Sequence, residues 1–228
     1  MKYLIVNADD FGYSFSINKG IIEAHTKSIV TSTSVMINAI AASEATELAK
    51  YPNLSVGLHF VIKNPNDAEN ELKAQINKFI TIVGRKPDHV DTHKMKPIDN
   101  KQVEVALRKY SKENNTPIRC FGYDKFIGSW FGLNVDDSGK LNQDKVSLSS
   151  FRKAIDKATD EYNELMCHVG YSDDYLRKTS SYNDIRQEEL KTILNPKARQ
   201  YVEQAGLTLC NWRQVKVPNP ILNPECKM

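Results

Sequence analysis

KYLIVNADD (2–10) opens the chain with an apolar, β-branched run that stops at two adjacent carboxylates. Such a run reads as a strand buried on both faces, with its acids at the C-terminal end. The pattern repeats outward from it. INKGIIEAHTKS (17–28) sets Ile17, Ile21, Ile22 and Ala24 on one helical face, and TSTSVMIN (31–38) reads as a second strand. A helix is expected over ASEATELAKY (42–51), with its cap near Ala42 or Ser43, and a third strand over SVGLHFVI (55–62). ENELKAQINKFITIVG (69–84) carries Leu72, Ile76, Phe79 and Ile80 at helical spacing, with Gly84 as its stop.

The alternation continues with a strand at HVDTHKM (89–95), a helix at KQVEVALRKYSKEN (101–114) and a fifth strand at PIRCFG (117–122). A long loop is expected over 123–139, then a helix over 147–162 capped by Ser149 or Ser150. ELMCHVGY (164–171) reads as the sixth strand and 172–185 as a second long loop. Helices at 186–194 and 196–206 and a last strand at LTLCNWRQV (207–215) complete the chain. Repeated β-then-α order implies a parallel sheet wrapped by helices in one domain, residues 1–228. The polar residues that promise chemistry fall at the C-terminal ends of several strands, where α/β barrels build their sites. That favours a closed or partly closed barrel of about seven parallel strands.

Bulk composition narrows the function. With 31 Lys+Arg against 28 Asp+Glu, the formal charge is only +3, and no basic stripe carries interleaved aromatics, so nucleic acid is not an expected partner. No apolar stretch approaches the roughly 20 residues that cross a bilayer, and the N-terminal apolar run is too short for a signal peptide. Cys120, Cys167, Cys210 and Cys226 lack CxxC spacing, which leads to an expectation of reduced thiols and a cytoplasmic location.

Side chains alternate along a regular strand, so Asp9 and Asp10 are expected to point to opposite sides, one free to bind a metal and the other to act as a base. The plain alternative is a solvated strand end or helix cap. His59, alone in an apolar strand, reads more readily as a satisfied core histidine than as a ligand. His89, Asp91 and His93 are more informative, because H-x-D-x-H spacing sets all three on one strand face. Burying them unpaired would cost several kcal/mol, so a metal, a hydrogen-bond network or solvent must receive them. Two histidines and a carboxylate around a divalent ion form a common catalytic set. His168 could supply the proton that a departing amine needs. Trp130 and Phe131, in the expected loop, could stack on a sugar ring or pin the loop to the barrel. His25 reads as a surface or packing residue.

With these residues placed, the chain resembles the YdjC family of carbohydrate deacetylases, which includes chitooligosaccharide deacetylases. The resemblance runs through VNADDFG (6–12), GIIEA (20–24) with IVTSTSVMIN (29–38), VGLHFVI (56–62), GRKPDHVDTH (84–93) and ELMCHVGY (164–171). It implies a distorted (β/α) barrel similar to that of NodB-type polysaccharide deacetylases. It implies one divalent metal held by Asp10, His59 and His93, with Asp9 as base on the metal-bound water and His168 as acid or transition-state stabiliser. Asp91 and His89 would support the ligands, and Arg119 would contact the substrate carbonyl. Two imidazoles and a carboxylate suit Zn2+ best, with Mg2+ the alternative.

The implied reaction is N-deacetylation of a small amino-sugar oligosaccharide. Hydrolysis of another amide or a phosphoester, or sugar binding without turnover, are the competing readings. The resemblance leaves room for a homodimer without identifying an interface. The chain departs from the family in two places. Lys94, Met95, Lys96 and Pro97 replace further histidines after His93, and the segment before GRKP is short.

Overall fold

A computed structural model describes residues 1–94, 99–122, 124–132 and 142–216. Seven parallel strands form one sheet: β1 (Lys2–Phe11), β2 (Ser32–Val35), β3 (Ser55–Phe60), β4 (Val90–Thr92), β5 (Lys125–Ile127), β6 (Tyr162–Cys167) and β7 (Leu207–Leu209). Their order is β4-β3-β2-β1-β6-β5, and β7 pairs with the start of β1. The first strand is therefore central, flanked by β6 from Tyr3 to Ala8 and by β2 from Asn7 onward. Leu4, Ile5, Val6 and Ala8 are fully buried, as a strand covered on both faces requires. The sheet is parallel and wrapped by helices, as the β–α alternation predicts, and forms the partly closed barrel that the resemblance implies.

Helices α1 (Phe15–Lys27), α2 (Ala68–Val83) and α3 (Lys101–Asn114) alternate with the first strands. Ser14 caps α1 by accepting the Ile17 N–H. Gly84, at φ 82°, ends α2 in the left-handed region where a Cβ is disfavoured. Leu72, Ile76 and Phe79 of α2 face the core as their spacing predicts. Helices α4 (Leu148–Ile155), α5 (Asp174–Thr179), α6 (Ile185–Leu194) and α7 (Pro196–Gln204) complete the layer.

The structure departs from the sequence reading at short elements. PIRCFG makes only a single bridge, Val90 with Ile118, because Cys120 adopts φ 70° and the Phe121 N–H turns back to the Ile118 carbonyl. The fifth strand is instead Lys125–Ile127, inside the segment expected to be loop, where it pairs with Asn163–Leu165. Ser147, not Ser149 or Ser150, caps α4, which ends at Ile155. Residues 42–50 form 3-10 rather than α-helix, and α5 lies in the second expected loop. The last strand stops at Leu209, and a 3-10 turn follows over Trp212–Gln214.

Cys167 and Cys210 are buried free thiols, whereas Cys120 is disulfide-bonded, so the expectation of four reduced thiols fails at that residue. Cys226, Met95, Lys96, Pro97, Tyr123 and 133–139 of the expected loop lie outside the described residues. No helix among the described residues is long and apolar enough to cross a membrane.

One packing contact carries the strands towards the site. The His89 ring stacks on Trp212 at 4.9 Å and 17°, and a Cβ on Gly57 would lie 2.3 Å from that ring. Glycine at 57 is thus required by space on β3. Gly57→Ala should lower stability by about 1–3 kcal/mol through overpacking, read as a lower urea midpoint with an unchanged slope.

Candidate active site

The end of β1 does not keep regular alternation. Its register against β2 shifts between Ala8 and Phe11, and Asp10 takes φ 72°. A non-glycine residue in the left-handed region costs about 1 kcal/mol or more, with aspartate among the more tolerant types. The chain is locked into the turn by the Met36 N–H to the Phe11 carbonyl (2.7 Å) and the Gly12 N–H to Asn18 Oδ1. Asp9 and Asp10 consequently do not point to opposite sides as expected. Both line one cavity of about 690 Å³ at the C-terminal ends of the strands.

Asp10, His59 and His93 converge there. His59 Nε2 lies 3.2 Å from His93 Nδ1 and 3.3 Å from Asp10 Oδ1, and His93 Nδ1 lies 3.4 Å from the same oxygen. Ligands about 2.1 Å from a tetrahedral ion stand about 3.4 Å apart, so this triangle fits a divalent ion such as zinc. Asp10 Oδ1 is buried without a hydrogen-bond partner, while Oδ2 takes a 2.6 Å ion pair from Arg186. One carboxylate oxygen is thereby committed to a cation and the other left facing the two imidazoles.

Asp91 accepts from His59 Nδ1 at 2.7 Å, which fixes the ring with Nε2 facing Asp10 and His93. Burial alone would lower the His59 pKa, but Asp91, Asp10 and Asp9 overcome it and hold the ring at about 10. Burial likewise opposes ionisation of Asp10, yet Arg186 and the two imidazoles keep its carboxyl well below the usual range. The site thus draws positive charge to the place where the triad could hold a divalent ion.

Arg119 is the hub beneath it. Its guanidinium grips both Asp9 oxygens at 2.8 Å, Glu164 at 2.7 Å and Asp91 at 2.9 Å. It is buried and absent from the cavity lining, so it orients Asp9 and Asp91 instead of meeting a substrate carbonyl as expected. Asn7 adds a 2.7 Å hydrogen bond to Asp9. Behind Arg119, burial and the charge of Glu164 push the Asp124 carboxyl well above the usual range.

His168, just past β6, lines the cavity, and burial brings its pKa down to about 4 against the pull of Asp10 and Asp9. Phe131 packs against it at 4.7 Å and Tyr182 at 5.4 Å. Trp130 lies outside the cavity lining. It is buried, donates to Ser150 at 3.2 Å and packs edge-on against Phe151, so it anchors the loop and offers no face to a sugar. His89 is fully buried 3.8 Å from Asp91. His25 bonds the Val30 carbonyl, away from the site. Lys94 lines the cavity, so the departure from the family pattern after His93 is felt at the site itself.

Sequence reasoning missed Arg186, Tyr182, Glu189, Glu164 and Asn7. Arg186, Tyr182 and Glu189 stand outside every quoted motif, while Asn7 lies within VNADDFG and Glu164 within ELMCHVGY. Asn7 and Glu164 were visible only as polar residues in strands otherwise buried.

The chain matches the description "YdjC-like protein" over residues 3–68 and 63–204. It is 32% identical to a carbohydrate deacetylase of Clostridium beijerinckii, covering 93% of this chain and 99% of that protein. It is also 32% identical to a chitooligosaccharide deacetylase of Yersinia enterocolitica, covering 91% and 97%. In fold it is similar to a crystal structure from Enterococcus faecalis V583 (TM-score 0.78, 24% identity, 95% and 99% covered). The polysaccharide deacetylase Bc1974 of Bacillus cereus has the same fold at greater distance (TM-score 0.59, 14% identity, 94% and 93% covered). By its sequence match and its relatives, this chain belongs to the YdjC family.

Proposed function

We propose that the chain is a metal-dependent carbohydrate N-deacetylase that removes acetyl groups from a small chitooligosaccharide-like substrate. The observation that carries this reading is the convergence of Asp10 Oδ1, His59 Nε2 and His93 Nδ1 within a cavity that Asp9 and His168 also line. The names of the relatives from C. beijerinckii and Y. enterocolitica support the substrate class. Two imidazoles and one carboxylate favour Zn2+, with Mg2+ the alternative. Such an ion supplies Lewis acidity, lowering the pKa of water and polarising the acetyl carbonyl.

The chain's own residues then divide the work. Asp9 takes the proton of the attacking water, and its hydrogen bonds from Arg119 and Asn7 fix the carboxylate in place. Arg186 holds Asp10, and Asp91 holds His59, so both ligands are oriented before any substrate enters. His168 rests neutral at pH 7, because burial has lowered its pKa to about 4. It therefore acts first as a hydrogen-bonding group towards charge that develops in the transition state. It carries a proton to the departing nitrogen only after receiving one.

Metal-loaded protein should release acetate from diacetylchitobiose, and Asp9→Asn should cut kcat by about 10²–10⁴ while elemental analysis still finds the metal. Absence of acetate from every N-acetylated sugar tried would overturn the reading. Because the folded pKa of His168 lies below its ordinary 6.5, the unfolded chain binds its proton more readily between pH 6.5 and 4. Its contribution to stability is thus complete above 6.5 and lost as pH falls through 4. Relative to His168→Gln, the wild-type urea midpoint should fall across that window; a constant difference between the two proteins would contradict the assignment.

A further inference from the structure

Glu189 of α6 is fully buried, yet it belongs to no part of the reaction described so far. Its two oxygens are both committed to the wall of the cavity. One accepts the backbone N–H of His168, and the other accepts the Tyr182 hydroxyl. The Tyr182 oxygen in turn accepts the Gly132 N–H at 2.9 Å. The Tyr182 ring stacks on Phe131 at 4.6 Å and 21° and meets the His168 ring edge-on. One carboxylate therefore ties together the end of β6, the segment entering α6 and the loop at 131–132. His168, Phe131 and Tyr182, which it braces, all line the cavity.

Both groups that meet the carboxylate are donors. An ionised carboxylate accepts from both at once, whereas a protonated one keeps both contacts only if the Tyr182 hydroxyl reverses to accept its O–H, which gives up the charge-assisted bond holding the wall. We propose that Glu189 is the positioning residue of His168, holding its imidazole and the aromatic wall in the working arrangement only while the Glu189 carboxylate is ionised. This rests on the deacetylase reading for what His168 does, but the bracing itself does not.

The ionisation falls in an accessible range. Burial raises the Glu189 pKa to about 7, against the lowering effect of Tyr182, the His168 N–H and Arg186. The charged and titratable groups that face it are Tyr182 and Arg186, His168 and the Cys167 thiol from β6, and Asp9 from β1. The folded pKa lies above the ordinary 4.5, so acidification from pH 7 protonates the folded chain first. The arrangement of His168 is then lost as pH falls through about 7.

The test uses the metal-loaded, full-length protein. Wild-type kcat should fall on the acid side of an apparent pKa near 7. Glu189→Gln should lower kcat about tenfold or more, with KM little changed, and should erase that limb. Tyr182→Phe removes a donor that favours the ionised form, so it should move the limb to higher pH. A wild-type limb retained unchanged in Glu189→Gln would overturn the proposal, as would an unmoved limb in Tyr182→Phe. A second measurement needs no substrate: the His168 ring signals in the NMR spectrum of the wild type should report a transition near pH 7. Absence of that transition overturns the bracing even if Glu189→Gln fails to fold. Its presence without acetate release would separate failure of the deacetylase reading from failure of this one.

Discussion

A single buried guanidinium holds the centre of this protein together. Arg119 reaches Asp9 on β1, Glu164 on β6 and Asp91 on β4, so it touches three strands that are not neighbours in sequence. Three carboxylates in one apolar interior would repel one another and cost far more to desolvate than the fold could offset. With Arg119 among them they become a fixed framework, and the remaining negative charge is directed upward to the cavity. His59 answers that field by holding a proton at a pKa of about 10. The same negative field would favour a divalent ion beside Asp10, His59 and His93 in place of that proton. Buried ion pairs are poor evidence for stability in general. Here the cluster does something else: it orients Asp9 and Asp91 from beneath, without occupying the cavity.

The second constraint is the left-handed turn at Asp10. A regular strand would have sent one aspartate away from the cavity. The register shift before Phe11 brings both into it, and Arg186 then takes one Asp10 oxygen from the far side of the chain. The strained residue, its anchoring arginine and the histidines it faces form one unit. Local strain of this kind persists where surrounding contacts over-determine it, commonly at functional sites.

Part of the candidate site was legible because several of its polar residues recur at strand spacing. H-x-D-x-H put His89, Asp91 and His93 on one face, and the structure keeps Asp91 behind the His59 ring and His93 at the cavity. The long amphipathic helices α2 and α3 were equally plain, with Gly84 marking an end. What failed were short elements and partnerships. Lys125–Ile127 has three residues and no period to read, while PIRCFG looked like a strand and was turned aside by the conformation of Cys120. Arg119 was expected at the substrate because a lone arginine beside a motif gives no hint of three buried carboxylates. Trp130 read equally as a sugar platform and as a loop anchor, because aromatic residues serve cores and ligands alike. Arg186 and Glu189 lie in an ordinary helical stretch, and only the folded chain shows which of its polar residues turn inward.

The position of β1 has a consequence for how the chain comes to be folded. Lys2 to Leu4 pair with Leu207 to Leu209, and Tyr3 to Ala8 pair with Tyr162 to Cys167. The first strand of the sheet in chain order therefore waits for nearly the last before its edges are covered. Closing such distant pairs is slow, and an apolar strand with open edges is prone to wrong partners in the meantime. The two aspartates that end KYLIVNADD put charge at the tip of this apolar strand. Charge beside an unavoidable apolar strand is a general device against pairing with another chain while a sheet is incomplete.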